Sequence, residues 1–194
     1  MDSDKIIASI KKASQELFRR YGYHKTSVNE IAHKARIAKA TIYKYFDSKE
    51  LILHSILIDY LEKHIGDLVS TLQGASDEVL MYSQLILKTS RISFTVCNEF
   101  IGWDFIRESA NAQDFLKKFS NELEELLFNA FSQLRDSTKD GDENFSRRMR
   151  FLVKSSKSIV FSFAFTSVSV ADVKKNFISF RKDILPYLVK GALA

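Results

Sequence analysis

Between Thr26 and Leu51 the chain gathers side chains that can grip a polyanion. Lys39 and Lys44 bring ammonium groups suited to phosphates or guanine edges, and Thr41 can donate to a phosphate or touch a thymine methyl. Tyr43 and Tyr45 add phenolic hydroxyls, and Ala40 is small enough for a helix to lie close to bases. Thr26 or Ser27 offers a hydroxyl and free backbone N–H groups at a helix start, and Lys49 stands at another such start; both are ready anion sites. This chemistry needs a scaffold of short helices. The stretch reads as two such helices joined by a tight turn, then an aromatic-basic cluster and a third capped helix start. That is the layout of a helix-turn-helix, whose second helix enters a DNA major groove. Ala32 is the small residue at the helix crossing, Arg36 falls in the turn, and Ile42 is the apolar anchor of the second helix.

The elements that would position these residues follow from periodicity and capping. A first helix spans about Asp4 to Tyr21, with Ile6, Ile10, Ala13, Leu17 and Tyr21 at helical spacing and Gly22 where a left-handed cap is wanted. Ser27-x-x-Glu30 has the form of a capping box and opens the second helix. The third runs from about Lys39 to Phe46, with Phe46 packed inside and Tyr45 either packed or on DNA. Asp47 or Ser48 caps a fourth, which buries Leu51, Ile52, Ser55, Ile56 and Leu61 as a continuous rod.

In order and spacing, Phe18, Gly22, Tyr23, Thr26, Ser27, Val28, Ile31, Ala32, Ala35, Ile37, Lys39, Thr41, Ile42, Tyr43, Tyr45, Phe46, Ser48, Lys49 and Glu50 resemble the N-terminal pattern of the tetracycline-repressor (TetR) family. The resemblance covers about the first quarter of the chain. It implies an all-α protein of about nine helices. Residues 1–50 would form a three-helix DNA-binding domain, and residues 51–194 a larger helical domain for effector binding and dimerisation. It also implies that Thr26, Ser27, Arg36, Lys39, Ala40, Thr41, Tyr43, Lys44, Tyr45 and Lys49 meet DNA. Two positions depart from the pattern. Arg36 stands where glycine is usual, and a left-handed non-glycine residue costs roughly 1 kcal/mol. Either the turn differs there, or the strain is held and Arg36 gains a phosphate contact. Ala38 stands where serine often caps the reading helix, so a capping bond of ~1 kcal/mol is missing.

Charge points the same way. Residues 1–50 hold eleven Lys/Arg and six Asp/Glu, a net of +5, whereas residues 51–194 hold eighteen of each. The asymmetry favours a polyanion at the N-terminal end. Six glycines and one proline in 194 residues favour long helices. A single cysteine, Cys97, excludes an intrachain disulfide framework, and His24, His33, His54 and His64 show no metal-ligand spacing. No metal or cofactor is expected, and no metal triad, Gly-rich phosphate loop or nucleophile motif suggests an enzyme. No apolar run reaches the ~18 residues of a membrane span. MDSDKIIASIKK carries acidic residues where a secretory signal is basic, so a cytoplasmic protein is expected.

Further along, Asp77 starts a helix through Leu80, Leu87 and Phe94. Asn98–Ser109 reads as a shorter helix, Gln113–Leu134 as a long amphipathic one, and Asp136–Asn144 as a loop. Ser158–Val170 alternates apolar and small polar residues with the period of a strand. Met149, Leu152, Val153, Ser156, Val160, Phe163 and Ser167 equally form a helical stripe. A lone strand would leave its backbone unpaired, so helix is expected. Val173–Val189 follows as a helix with Phe177, Phe180, Ile184, Tyr187 and Leu188 on one side, kinked by Pro186.

Fourteen of sixteen phenylalanines lie beyond Tyr60. At helical spacing such residues are chiefly core. If a pocket exists, Phe94, Asn98, Glu99, Trp103, Phe119 and Phe163 are its candidates, and the ligand is a small, mostly hydrophobic molecule. The resemblance further implies a homodimer through the last two helices. Its two reading helices would lie about one DNA turn (~34 Å) apart on a palindromic operator. The expected function is a repressor released by its effector; an effector-free DNA-binding protein or an activator of the same fold is the alternative, and an enzyme on a helical scaffold the remote one.

Overall fold

A computed structural model describes residues 3–96, 110–135 and 142–194. Every regular element among them is helical. In chain order these are α1 (Ser3–Tyr21), α2 (Val28–Ala35), α3 (Lys39–Tyr43), α4 (Lys49–Leu72), α5 (Glu78–Val96), α6 (Ala110–Leu134), α7 (Asp142–Thr166), α8 (Val170–Ser179) and α9 (Leu185–Leu193). A π-helical turn over Phe180–Ile184 makes α8 and α9 one continuous rod. None of the described helices is long and apolar enough to cross a membrane. The expected helix over Asn98–Ser109 lies outside the described residues.

Packing separates the chain into two units, Met1–Tyr60 with Val96–Phe119, and Leu61–Thr95 with Ser120–Ala194. In the first, α1 packs on α2 and α2 on α3. The buried stripe of α1 runs through Ile6, Ile10, Ala13, Ser14 and Phe18, so Phe18 replaces the expected Leu17 and Tyr21 at the end of the stripe. Tyr21 stands exposed beside Arg20. Gly22, at φ +84°, closes α1 by donating its N–H to the Phe18 carbonyl, the left-handed cap that a residue without Cβ allows. Lys34 pairs with Glu16 at 2.9 Å and Lys11 with Asp59 at 2.7 Å, tying α1 to α2 and to α4. Phe115 stacks on Phe119, and both lie in T-shaped contact with the buried His54 ring.

In the second unit, Asp77 accepts the Leu80 N–H and opens α5 as expected. The buried side of α5 is Met81, Tyr82, Leu85, Ile86, Thr89, Ser93 and Phe94, while Leu80 faces outward. Tyr82 and Phe131 meet edge to face at 5.1 Å in the core. Helix α7 begins at Asp142, so the tail of the expected loop is already helical, and it continues to Thr166. The strand-like alternation after Ser158 has a helical origin. Val160 and Phe163 belong to a buried stripe with Met149, Leu152, Val153 and Ser156, while Phe161 and Phe165 belong to an exposed one. Two apolar stripes on one helix mimic period two.

The last rod starts earlier than expected. The Ser169 hydroxyl accepts the Asp172 N–H, and the Asp172 carboxylate takes the Ser169 hydroxyl and the Val168 N–H. Pro186 has no N–H to return to the carbonyl four residues back, and the ladder widens just before it: Leu185 N–H bonds Phe180 O, five residues back. The extra residue rotates the helix face. Phe177 and Phe180 are buried as expected, but beyond the turn Leu185, Val189 and Ala192 face the core, leaving Tyr187 75% exposed.

Candidate nucleic-acid interface

Helix α3 is five residues long, and its N-cap Ala38 supplies no side-chain hydrogen bond. Isolated helices of that length are unstable in water, so its neighbours must hold it. Ile42, with no exposed surface, is its anchor. The expected extension to Phe46 is absent: Tyr45 and Phe46 both return their N–H groups to the Ile42 carbonyl, and the chain turns so that Phe46 packs inside.

The approach to α3 is fixed by α2 and its two ends. At the start, Ser27 accepts the Glu30 N–H at 3.2 Å while Glu30 takes the Ser27 N–H and hydroxyl at 2.7 Å, a complete capping box. At the end, Arg36 lies at φ 56°, ψ 41°. Its N–H bonds His33 O at 3.1 Å and Ile37 N–H bonds Ala32 O at 3.0 Å, the paired bonds of a Schellman turn. The glycine-like conformation is therefore kept and its strain held. Arg36 is the non-glycine residue with positive φ among the described residues.

The polar residues singled out in the sequence fall into two groups. Arg36, Lys39, Ala40, Tyr43 and Lys44 are exposed, with the Lys39 ammonium 5.9 Å over the Tyr43 ring. Ser27 is exposed too, though its hydroxyl already serves the capping box. Thr41 and Tyr45 are half-buried. Thr26 and Lys49 are turned inward. Thr26 is 2% exposed and donates its hydroxyl to the Gly22 carbonyl at 2.9 Å. Lys49 donates to the carbonyls of Tyr23 and Thr26, each at 2.9 Å, and lies 4.2 Å over the Tyr23 ring. Of the two candidate caps for α4, Ser48 takes the role, accepting the Leu51 N–H.

Tyr23 organises this knot. It is buried edge-on to Phe18 and donates its hydroxyl to Glu50 at 2.7 Å. Burial, then the bond and charge of Glu50, raise its phenol well above the ordinary tyrosine range. Burial opposes ionisation of Glu50, but the bonds from Tyr23, its own backbone and Ser48, with the charge of Lys49, together hold its carboxyl low. Burial also lowers the Lys49 ammonium, against Glu50 and Glu30. His24 and Lys25, exposed in the loop just before α2, are polar positions that the motif does not single out; their place three and two residues ahead of Ser27 is the available signal.

The expected pocket residues do not gather around one cavity among the described residues. Phe94 and Phe163 meet Phe177 edge to face at 5.6 and 5.2 Å and fill core. Phe119 belongs to the His54–Phe115 cluster of the first unit. Asn98, Glu99 and Trp103 lie outside the described residues. A cleft of about 340 Å³ opens elsewhere, lined by His64, Asp67, Leu68, Thr71, Lys88, Arg91 and Ile92. The charge balance beyond residue 50 is also uneven: residues 51–141 hold eight Lys/Arg and fourteen Asp/Glu, residues 142–194 ten and four.

A capped helix, a tight left-handed turn and a short cation-bearing helix anchored by one isoleucine define a helix-turn-helix of the kind found in DNA-binding regulators. Residues 10–56, about a quarter of the chain, match the bacterial regulatory proteins of the tetR family. A stretch of 54 residues is 44% identical to YuxN of Bacillus subtilis, an uncharacterised HTH-type transcriptional regulator. The match takes in 28% of this chain and 19% of YuxN, so it spans about a fifth of that relative. Solved structures extend the likeness in fold to the rest of the chain. A TetR transcriptional regulator from Rhodococcus sp. RHA1 has a TM-score of 0.62 at 15% identity over 98% of each chain. The TetR family repressor AlkX from Dietzia sp., implicated in biodegradation of n-alkanes, has a TM-score of 0.61 at 15% identity over 95% of each.

Two stability outcomes follow from this geometry. Arg36→Gly relieves the left-handed strain, and urea denaturation is expected to show a gain of roughly 0.5–1 kcal/mol; a loss would mean that the arginine side chain itself holds the turn. Glu16, Glu30 and Glu50 all have folded-state pKa values below the ordinary glutamate value of 4.5, Glu16 chiefly through its bond to Lys34 and Glu30 through its bonds to Ser27. A carboxylate so depressed stabilises the fold above its unfolded pKa and loses that contribution as pH falls through the folded value. The melting temperature should therefore drop on acidification from pH 5 to pH 3, and a flat profile across that window would contradict the assignment.

Proposed function

We propose that the chain acts as a homodimeric transcriptional repressor that reads a palindromic operator with α3 and is released by a small, mostly hydrophobic effector. The observation that carries the reading is the outer face of the helix-turn-helix. Arg36, Lys39, Tyr43 and Lys44 project from it around the small Ala40, while the polar groups that would compete for them, Glu30 and Glu50, are engaged in the capping box and the Tyr23 bond. In this reading Lys39 and Lys44 meet phosphates or guanine edges, and Arg36 a phosphate. Thr41, Tyr43 and Tyr45 contribute hydroxyls. The Ser27 backbone marks the helix start nearest the DNA. Thr26 supports the surface from within.

Dimerisation is favoured by what α7 and the last rod leave exposed. Phe151, Phe161 and Phe165 on α7, with Ile178 and Tyr187 on the rod, are large apolar side chains of the sort that monomers cover. A second copy of the same chain would cover them. The effector reading rests on the aromatic interior around Phe94, Phe163 and Phe177, which a small apolar molecule could enter by displacing rings. Release would then be a population shift toward a state in which the two readers no longer match the operator.

Selection from a random-sequence duplex library is expected to return an inverted repeat with half-sites about one helical turn, ~34 Å, apart. On that duplex Lys39→Ala and Lys44→Ala should each weaken binding about tenfold or more and flatten the dependence of log K on log salt; unchanged binding by both would remove α3 as the reading helix. Sedimentation should give a two-chain species that Phe161→Glu with Phe165→Glu converts to monomers. A wild-type monomer at micromolar concentration would defeat the dimer.

A further inference from the structure

We propose that Lys49 controls DNA binding as a positioning residue, clamping the start of α4 to the loop that launches the helix-turn-helix, and not as a phosphate ligand. The proposal rests on the DNA-reading function above. Lys49 is the first residue of α4, and a cation there would ordinarily be read as facing the polyanion. Its ammonium faces inward. Two of its three N–H groups go to the carbonyls of Tyr23 and Thr26 at 2.9 Å, and the Tyr23 ring lies 4.2 Å beneath it. The next residue, Glu50, takes the Tyr23 hydroxyl at 2.7 Å. The first two residues of α4 thus hold Tyr23 at both ends, by its backbone carbonyl and by its phenol.

The position of those carbonyls gives the clamp its consequence. Thr26 immediately precedes Ser27, the N-cap of α2, and α2 leads through the Arg36 turn into α3 with only Arg36, Ile37 and Ala38 between them. Fixing the Thr26 carbonyl fixes where α2 begins. A phosphate contact would require Lys49 to give up two charge-assisted bonds and a ring face, and to take a donor from each of the two carbonyls. Lys39 and Lys44, by contrast, are exposed. Burial holds the Lys49 ammonium below the ordinary lysine range, as expected of a group withdrawn from water.

The two roles differ in their salt dependence. A lysine that neutralises a phosphate contributes about 0.9 to the slope of log K against log salt, or about 1.8 in a complex of two copies. A positioning residue contributes affinity without slope. The probe is the duplex that the full-length wild-type chain selects from a random library, with a scrambled duplex beside it. Lys49→Met keeps the aliphatic stem and removes the charge; it should lower affinity for the selected duplex at least tenfold with the slope unchanged. Lys44→Ala in the same series should flatten the slope. The ratio of selected to scrambled affinity should fall for Lys49→Met, whereas mere loss of folded protein would scale both equally. A slope flattened by 0.9 or more per copy would make Lys49 a phosphate ligand and overturn the proposal, as would undiminished affinity. If Lys49→Met does not fold, Glu50→Gln weakens the other grip on Tyr23 while leaving every cation in place. It should lower the affinity ratio with no change of slope, and an unchanged ratio overturns the clamp. Failure of the wild-type chain to select any duplex would instead count against the function itself.

Discussion

A five-residue helix has no stability of its own, and the first unit is arranged around that constraint. Nucleating a helix fixes several residues for a single hydrogen bond, and α3 adds too few further bonds to recover the cost. It also lacks a side-chain cap at Ala38. Its orientation must therefore come from outside: Ile42 sealed in the core, Phe46 turned in behind it, and the Arg36 turn fixing the angle at which the chain leaves α2. Each support lies on the inner side. The outer side is left to cations, hydroxyls and one alanine.

Burial and display are divided within a few residues. Thr26 and Lys49 bear the functional groups that surface chemistry would seek, yet both spend them on backbone carbonyls of the loop between α1 and α2. Tyr23 joins them, linking Phe18 of α1 to Glu50 of α4 through one buried ring. Carbonyls of a loop turned inward have no helix ladder to join and need a donor. A lysine and a threonine supply donors here. Arg36, Lys39, Tyr43 and Lys44 are left facing outward.

Local signals in the sequence were legible and distant ones were not. Spacing within a few residues identifies the capping box at Ser27 and Glu30 and the Gly22 cap; the missing cap at Ala38 shows only against the family pattern, which left open whether Arg36 keeps the left-handed turn. The inward turn of Lys49 depends on carbonyls 23 and 26 residues away, which no periodicity encodes. The π turn at Phe180–Ile184 was half legible. Pro186 announced an irregularity, but not that one added residue would move the buried face from Ile184 and Tyr187 to Leu185 and Val189. The aromatics read as pocket candidates show the weakest link between type and role, because Phe94 and Phe163 each pack edge to face with Phe177 in the core.

DNA reading by this chain requires α3 to be the surface that meets the duplex. Hydrogen–deuterium exchange of the chain, with and without a duplex it has selected, tests this directly. The account predicts slowed exchange in peptides covering residues 36–45 and at the start of α2. Protection confined to the basic segment 142–194, with residues 36–45 exchanging as in the free chain, would contradict it.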